Sequence, residues 1–368
     1  MSTEDTPLIR TAPFKADGLP TLIGSLPLTD HNEALAWIFA HTPEIPLWPQ
    51  LPGKPGEGML QQFVEGFPGI TEDENRTYFN VQSAGFEEEL VAFFEEYLAV
   101  SEDPILRATS RFKVSQDRAA GIYCLAAATG SKEGIRAVKG QITGPFTLLT
   151  GLTDQNRRLG YYDETIREMA VKGLAMKAAW QVAKLGEAGK PVLLFIDEPA
   201  LAGLGSSAFI SISQEAISAD LTEVINAVHE AGGLAGIHVC ANTDWGFLLA
   251  QPLDILSFDA YGFFDRLIGN KEQVLAFLAR GGILAWGIVP TSERNHIIEE
   301  TPESLIALWE KQAGQLVSAK LDLPALLRQS LITPSCGTGS LTPDLAARVL
   351  GLTRDVSAIL RKKYLPTE

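Results

Sequence analysis

Short apolar runs rich in β-branched residues alternate with longer amphipathic segments along most of the chain, and this alternation constrains the fold more than any other feature. The runs fall at 21–26, 45–50, 137–143, 191–197, 234–240, 254–259, 283–289 and 331–334. Most are apolar almost throughout, as parallel strands covered on both faces must be. Strands that alternate with helices give β/α units and a parallel sheet. Eight such units predict an α/β fold, a single (β/α)8 TIM barrel, and 368 residues suit one such domain with insertions. On this reading residues 1–20 are an N-terminal extension. The long connection between the second and third strands, about 53–134, is an insertion on the rim where barrels build their active sites.

The intervening segments carry helix signals. Asp30 with Glu33 reads as a capping box ahead of Leu35 and Ile38. Thr301-Pro302 and Thr342-Pro343 each set a cap residue before a proline at the first helical position. The segment 213–231 spaces Leu221, Val224, Ile225 and Val228 for one helical face and stops at Gly232-Gly233. Inside the long connection an amphipathic helix is expected around 86–100, and the run 121–127 competes with 137–143 for the third strand.

Composition narrows the class. A formal net charge of −15 would repel nucleic acid and anionic lipid, and no basic cluster offsets it. Cys124, Cys240 and Cys336 are too few and too odd in number for a disulfide framework and fit a reducing compartment. The polar N-terminus has no apolar core of signal-peptide type, and the longest apolar stretches fall short of a membrane span. A soluble, cytoplasmic protein is expected.

The chemistry gathers at the C-terminal ends of the expected strands, where barrels place their catalytic groups. His238 and Cys240 lie two apart on one strand and so share a face. Cys336 ends the last strand and can converge on them. Imidazole with two thiolates is a nitrogen–sulfur set suited to zinc, and Asp259 could add an oxygen. The alternative is that both cysteines are buried apolar fillers. Asp197 emerges just after the apolar run 192–196, either as a functional carboxylate or as a helix cap. Glu57 sits in the glycine-rich loop Gly53-Lys54-Pro55-Gly56-Glu57-Gly58 and reads, taken alone, as an exposed carboxylate. His296 follows the seventh strand and is either a proton shuttle or a solvated loop histidine. His31, His41 and His229 fall in helical contexts with structural or surface roles.

With these residues in view, the chain resembles the superfamily that unites cobalamin-independent methionine synthase, uroporphyrinogen decarboxylase and the corrinoid-dependent thiol methyltransferases. It is most similar to the catalytic C-terminal barrel of methionine synthase, in a short core form lacking the N-terminal barrel. Thr21-Leu22-Ile23-Gly24-Ser25-Leu26-Pro27 resembles the motif that holds the homocysteine carboxylate, which implies substrate binding by Ile23, Gly24 and Ser25. Glu57 in Glu57-Gly58-Met59 and Asp197 in Ile196-Asp197-Glu198-Pro199 are similar to the two carboxylates that take the homocysteine amino group. His238, Cys240 and Cys336 match the zinc ligands, with Asp259 close to the place of a fourth, glutamate ligand.

The segments that grip methylfolate are not evident, and the proton-relaying histidine is displaced, with His296 a few residues beyond its place. The stretches 140–147 and 238–243 resemble segments of the corrinoid-dependent enzymes, which implies methylcobalamin or a methylated corrinoid protein as donor. The resemblance therefore implies a zinc-dependent methyltransferase that converts homocysteine to methionine, with Asp197 and His296 as catalytic groups. Two other readings stand beside it. One is methylation of another thiol such as coenzyme M. The other is a non-catalytic zinc- or corrinoid-binding protein.

Overall fold

Alternate residues of six parallel strands face opposite ways, and each face carries its own core. The computed structural model describes residues 14–73, 76–130, 132–205, 209 and 211–366. Its parallel sheet takes the order β3 (Val138–Thr143), β5 (Val192–Asp197), β6 (Leu234–Val239), β7 (Ile255–Phe258), β8 (Ile283–Val289) and β9 (Ser330–Pro334). Neighbours in the sheet are successive along the chain apart from the short β4 (Thr153–Asp154), as β/α units require.

Outward residues such as Val138, Leu194, Ile237, Leu256, Trp286 and Ile332 pack in one large cluster with the covering helices. Inward residues such as Leu193, Phe195, Ile255, Ile283, Ala285 and Leu331 form a smaller enclosed cluster with Leu19, Ile45 and Ala137. Higher on the same inner face the parity brings polar side chains instead. Lys139, Gln141, Asp197, His238 and Ser257 are all buried there. The apolar plug closes one end and leaves the polar layer toward the C-terminal ends of the strands.

The first two expected strands differ from the other six. Segments 21–26 and 45–50 touch their neighbours through isolated parallel bridges, Pro20 with Ile332, Ser25 with Gln50 and Leu47 with Lys139. Within 45–50 part of the reason is chemical: Pro46 and Pro49 have no N–H to give a ladder. What backbone pairing remains includes Thr21 N to Ile332 O at 3.0 Å, and Leu26 N to Gln50 O at 3.0 Å with Gln50 N to Gly24 O at 3.1 Å.

The connection after residue 50 folds into a small antiparallel pair, β1 (Ile70–Glu72) with β2 (Thr77–Phe79), to which β4 adds in parallel. The helices Phe86–Glu102 and Gln116–Thr129 follow. The run 121–127 that competed for the third strand lies within the second of these helices, and β3 takes the expected place. Asp30 caps helix His31–His41 through Asn32 N and Glu33 N at 2.9 and 2.8 Å, and Thr301 forms a reciprocal capping box with Ser304. Among the described residues no helix is long and apolar enough to cross a membrane.

Gly121 sets how closely helix Gln116–Thr129 lies on segment 45–50, because a Cβ there would overlap the Pro49 carbonyl oxygen and crowd the proline ring. Backbone cannot yield as a side-chain end can. Gly121→Ala is therefore expected to destabilise the fold by about 1–3 kcal/mol despite alanine's better helix propensity. Urea denaturation checks this, and an unchanged or raised midpoint would contradict it.

Candidate functional site

Strand register builds the centre of the site. Asp197 of β5 pairs with His238 of β6, and His238 pairs with Ser257 of β7. All three side chains therefore stand in a row on the inner face. His238 is 4% exposed. Its Nδ1 lies 2.9 Å from Ser257 Oγ, while its Nε2 is buried with no hydrogen-bond partner among the described residues. When Nδ1–H donates to Ser257, Nε2 presents a bare lone pair. This is how a ligating histidine is held for a metal.

Cys240 follows two residues later, past the end of β6. Cys336 arrives from the other side, just beyond β9, where Ser335 N donates to Val289 O at 2.8 Å and Ser335 Oγ pairs with Thr291 Oγ1 at 2.9 Å. Ligand atoms of His238, Cys240 and Cys336 all lie within 4.8 Å of one another. The sulfurs respond to this closeness. The Cys336 thiol and the His238 imidazole hold the Cys240 thiol well below its ordinary value, and the Cys240 sulfur pushes Cys336 up. A partnerless imidazole nitrogen beside two sulfurs fits zinc in both geometry and donor type.

Two buried carboxylates share the same cavity, a space of about 350 Å³ that Ile23, Ser25 and Met59 also line. Burial pushes the Asp197 carboxyl up to about 6, against the pull of His238 and Lys139, and its Oδ1 has no hydrogen-bond partner. Glu57 is 2% exposed, which corrects the exposed carboxylate expected of a glycine-rich loop. A turn with Gly56 at φ +79° and Glu57 N on Lys54 O at 3.2 Å folds it inward. There its Oε2 meets His31 Nε2 at 3.1 Å and accepts from Leu51 N at 3.4 Å. Ser25 completes the wall. Its Oγ accepts from Gly339 N at 3.2 Å, and its carbonyl takes Thr338 N at 2.9 Å. Gly24 does not line the cavity; its missing Cβ admits the side chains of Gln50 and Gln141.

Two expected site residues fall outside the converging group. Asp259 caps helix Ala260–Leu267, its Oδ1 accepting from Gly262 N at 2.7 Å, though its carboxyl is near enough for the Cys240 and His238 charges to act on it. His296 is exposed on helix Arg294–Glu299, with its ring centroid 5.4 Å from that of Tyr261, and does not line the cavity. Conversely, His31, Ser257 and Lys139 were not singled out by the sequence as parts of a site. His31 pairs with a residue 26 positions away, which no local pattern shows. Ser257 did leave a signal, as the one polar residue at an inward position of the otherwise apolar β7, whereas Lys139 shares β3 with the polar Gln141 and Thr143.

No family model matches the chain, and no curated protein matches it. Similar solved structures include a B12-independent methionine synthase from Shewanella sp. W3-18-1 in complex with selenomethionine. It is 16% identical over 67% of this chain and 68% of that one, with a TM-score of 0.48. Another is a Listeria monocytogenes protein assigned as a vitamin-B12 independent methionine synthase, 16% identical over 65% and 69% of the two chains, TM-score 0.42. Mycobacterium tuberculosis tryptophan synthase is also similar, at 16% identity over 66% and 87%, TM-score 0.28. At such scores the functional reading rests on the site's own residues.

Ser257 does no more than orient His238, yet orientation of a ligating imidazole typically matters 10- to 100-fold in metal affinity. Ser257→Ala should weaken zinc binding by about that factor, read by competition with a chromophoric chelator. Unchanged affinity would show that His238 does not ligate through the arrangement described.

Proposed function

We propose that the protein is a zinc-dependent S-methyltransferase whose acceptor is homocysteine and whose product is methionine. The observation that carries this reading is the meeting, in one cavity, of a partnerless imidazole nitrogen, two sulfurs, two buried carboxylates and a serine hydroxyl. His238, Cys240 and Cys336 would hold the metal. When bound, zinc lets a thiol ionise at neutral pH and so supplies the nucleophile.

The protein's own groups account for the rest of the acceptor. An α-amino acid has an ammonium, a carboxylate and a short apolar chain. Asp197 and Glu57 supply negative charge for the ammonium, and the His31 and Leu51 contacts fix Glu57 in place. Ser25 Oγ already accepts from Gly339 N, so its own O–H remains to donate to a carboxylate. Ile23 and Met59 offer apolar surface to the methylenes. With the acceptor held at both ends, its half of the alignment for in-line transfer is set by binding; the thiolate sulfur would bond to the methyl carbon of a methyl donor, which leaves with the electron pair of the broken bond.

Coenzyme M suits this cavity less well, because it has a sulfonate and no ammonium for two carboxylates to meet. A purely structural zinc site would fill its fourth position from the protein, whereas this cluster of three borders a cavity. The corrinoid donor implied by the sequence resemblance finds no support among the residues that line this cavity. His296 and Asp259 take no part in the proposed transfer. As architecture, segments 21–26 and 45–50 would fill the first and second strand places of a single (β/α)8 barrel, and 53–134 would form an insertion at its mouth.

Glu57→Gln and Asp197→Asn keep size and delete charge. Each should lower kcat/KM for homocysteine by roughly one to two orders of magnitude, since a hydrogen bond to a charged group is worth about 1.5–3 kcal/mol. Zinc content should hold. The assay crosses homocysteine and coenzyme M with methylcobalamin and methylfolate, so the donor class is read from the same plate. Parent-level activity in both variants, or turnover of coenzyme M alone, would contradict homocysteine as acceptor.

A further inference from the structure

Between its two bridges, the first segment is held by a side chain where a strand would be held by a ladder. The β3–β5 pairing runs unbroken from Val138–Val192 to Thr143–Asp197. Segment 21–26 has no such run. Instead the Ile23 carbonyl accepts from Lys139 Nζ at 2.6 Å. Lys139 lies on the inner face of β3 with no exposed surface. Its Nζ is also 3.3 Å from Gln141 Oε1 and 4.3 Å from the Phe195 ring centroid. Gln141 continues the chain of contacts, donating through Nε2 to Trp48 O at 2.9 Å. Inward side chains of β3 thus hold both early segments at points where a continuous ladder is missing.

The choice of lysine needs a further reason, because a neutral donor would avoid the cost of burying an ammonium. The Asp197 charge supplies one. Burial draws the Lys139 ammonium down to about 8, while Asp197 acts to raise it. The cation under the cavity floor and the carboxylate in its wall therefore support one another. Gly24 adds a steric element, since Gln50 and Gln141 occupy the space a Cβ would take.

We propose that Lys139 is a positioning residue for acceptor recognition: by holding the Ile23 carbonyl beneath the cavity it fixes Ser25 for the carboxylate end of an α-amino acid thiol. The acceptor's identity rests on the function proposed above, whereas the anchoring of the segment does not.

The test uses the full chain carrying Lys139→Met, which keeps length and apolar bulk and removes the donor. Hydrogen exchange of the amides in 21–28 should quicken about tenfold, with those of β5 unchanged. The homocysteine KM should rise about tenfold, while KM for 1-propanethiol, which has neither ammonium nor carboxylate, and the zinc content stay at the parent's values. A role in stability alone would shift both thiols together. Should Lys139→Met not fold, Lys139→Gln, a neutral donor of shorter reach, is read in the same way. Unchanged exchange, an unchanged homocysteine KM or equal losses for the two thiols would overturn the proposal. If the parent methylates no thiol, the functional reading fails, and the exchange measurement still decides whether Lys139 anchors the segment.

Discussion

The centre of this site follows from the two-residue period of parallel strands in register. Because β5, β6 and β7 pair Asp197 with His238 and His238 with Ser257, one inward row contains a carboxylate, a candidate ligand and its orienting hydroxyl. Slipping any strand by one residue would turn its row outward into the helix-facing core, where Ile196, Ile237 and Leu256 now pack. The apolar plug below this row therefore does more than stabilise. Phe195 and Ile255 keep the register that presents the polar layer above them.

The polar layer is chemically unusual in having more acid than base. Two thiols, Asp197 and Glu57 face a cavity with no lysine or arginine in its wall among the described residues. Such a set repels anions and favours cations, and its two kinds of donor sort them. Soft sulfur and imidazole select a metal such as zinc, and hard carboxylates select an ammonium. An acceptor with both a thiol and an ammonium satisfies both halves at once, and Lys139 beneath the floor offsets part of the remaining negative charge.

Much of this was legible in the sequence, for identifiable reasons. β5–β9 announced themselves as apolar runs because both faces are covered, whereas β3, with Lys139 and Gln141 inward, was contested by 121–127; the bounds of all six fall within about two residues of expectation. His238, Cys240 and Cys336 were legible because a two-residue spacing on one strand and a strand end elsewhere suffice to bring donors together. Asp259 shows the limit of that reasoning. An aspartate just past a strand is equally suited to cap the next helix, and here its oxygen goes to Gly262 N. Segments 21–26 and 45–50 have strand-like composition but are only bridged, and in the second Pro46 and Pro49 withhold two N–H groups. The His31–Glu57 pair needed the fold itself, because nothing local links a helix start to a loop 26 residues on.

The central claim is that His238, Cys240 and Cys336 bind a zinc ion whose remaining position accepts the substrate sulfur. X-ray absorption at the zinc edge, with and without homocysteine, tests it most directly. The account predicts sulfur neighbours at about 2.3 Å in the protein alone, with one further sulfur added by homocysteine. A sulfur count that does not change on adding homocysteine, or a zinc shell without sulfur, would contradict it.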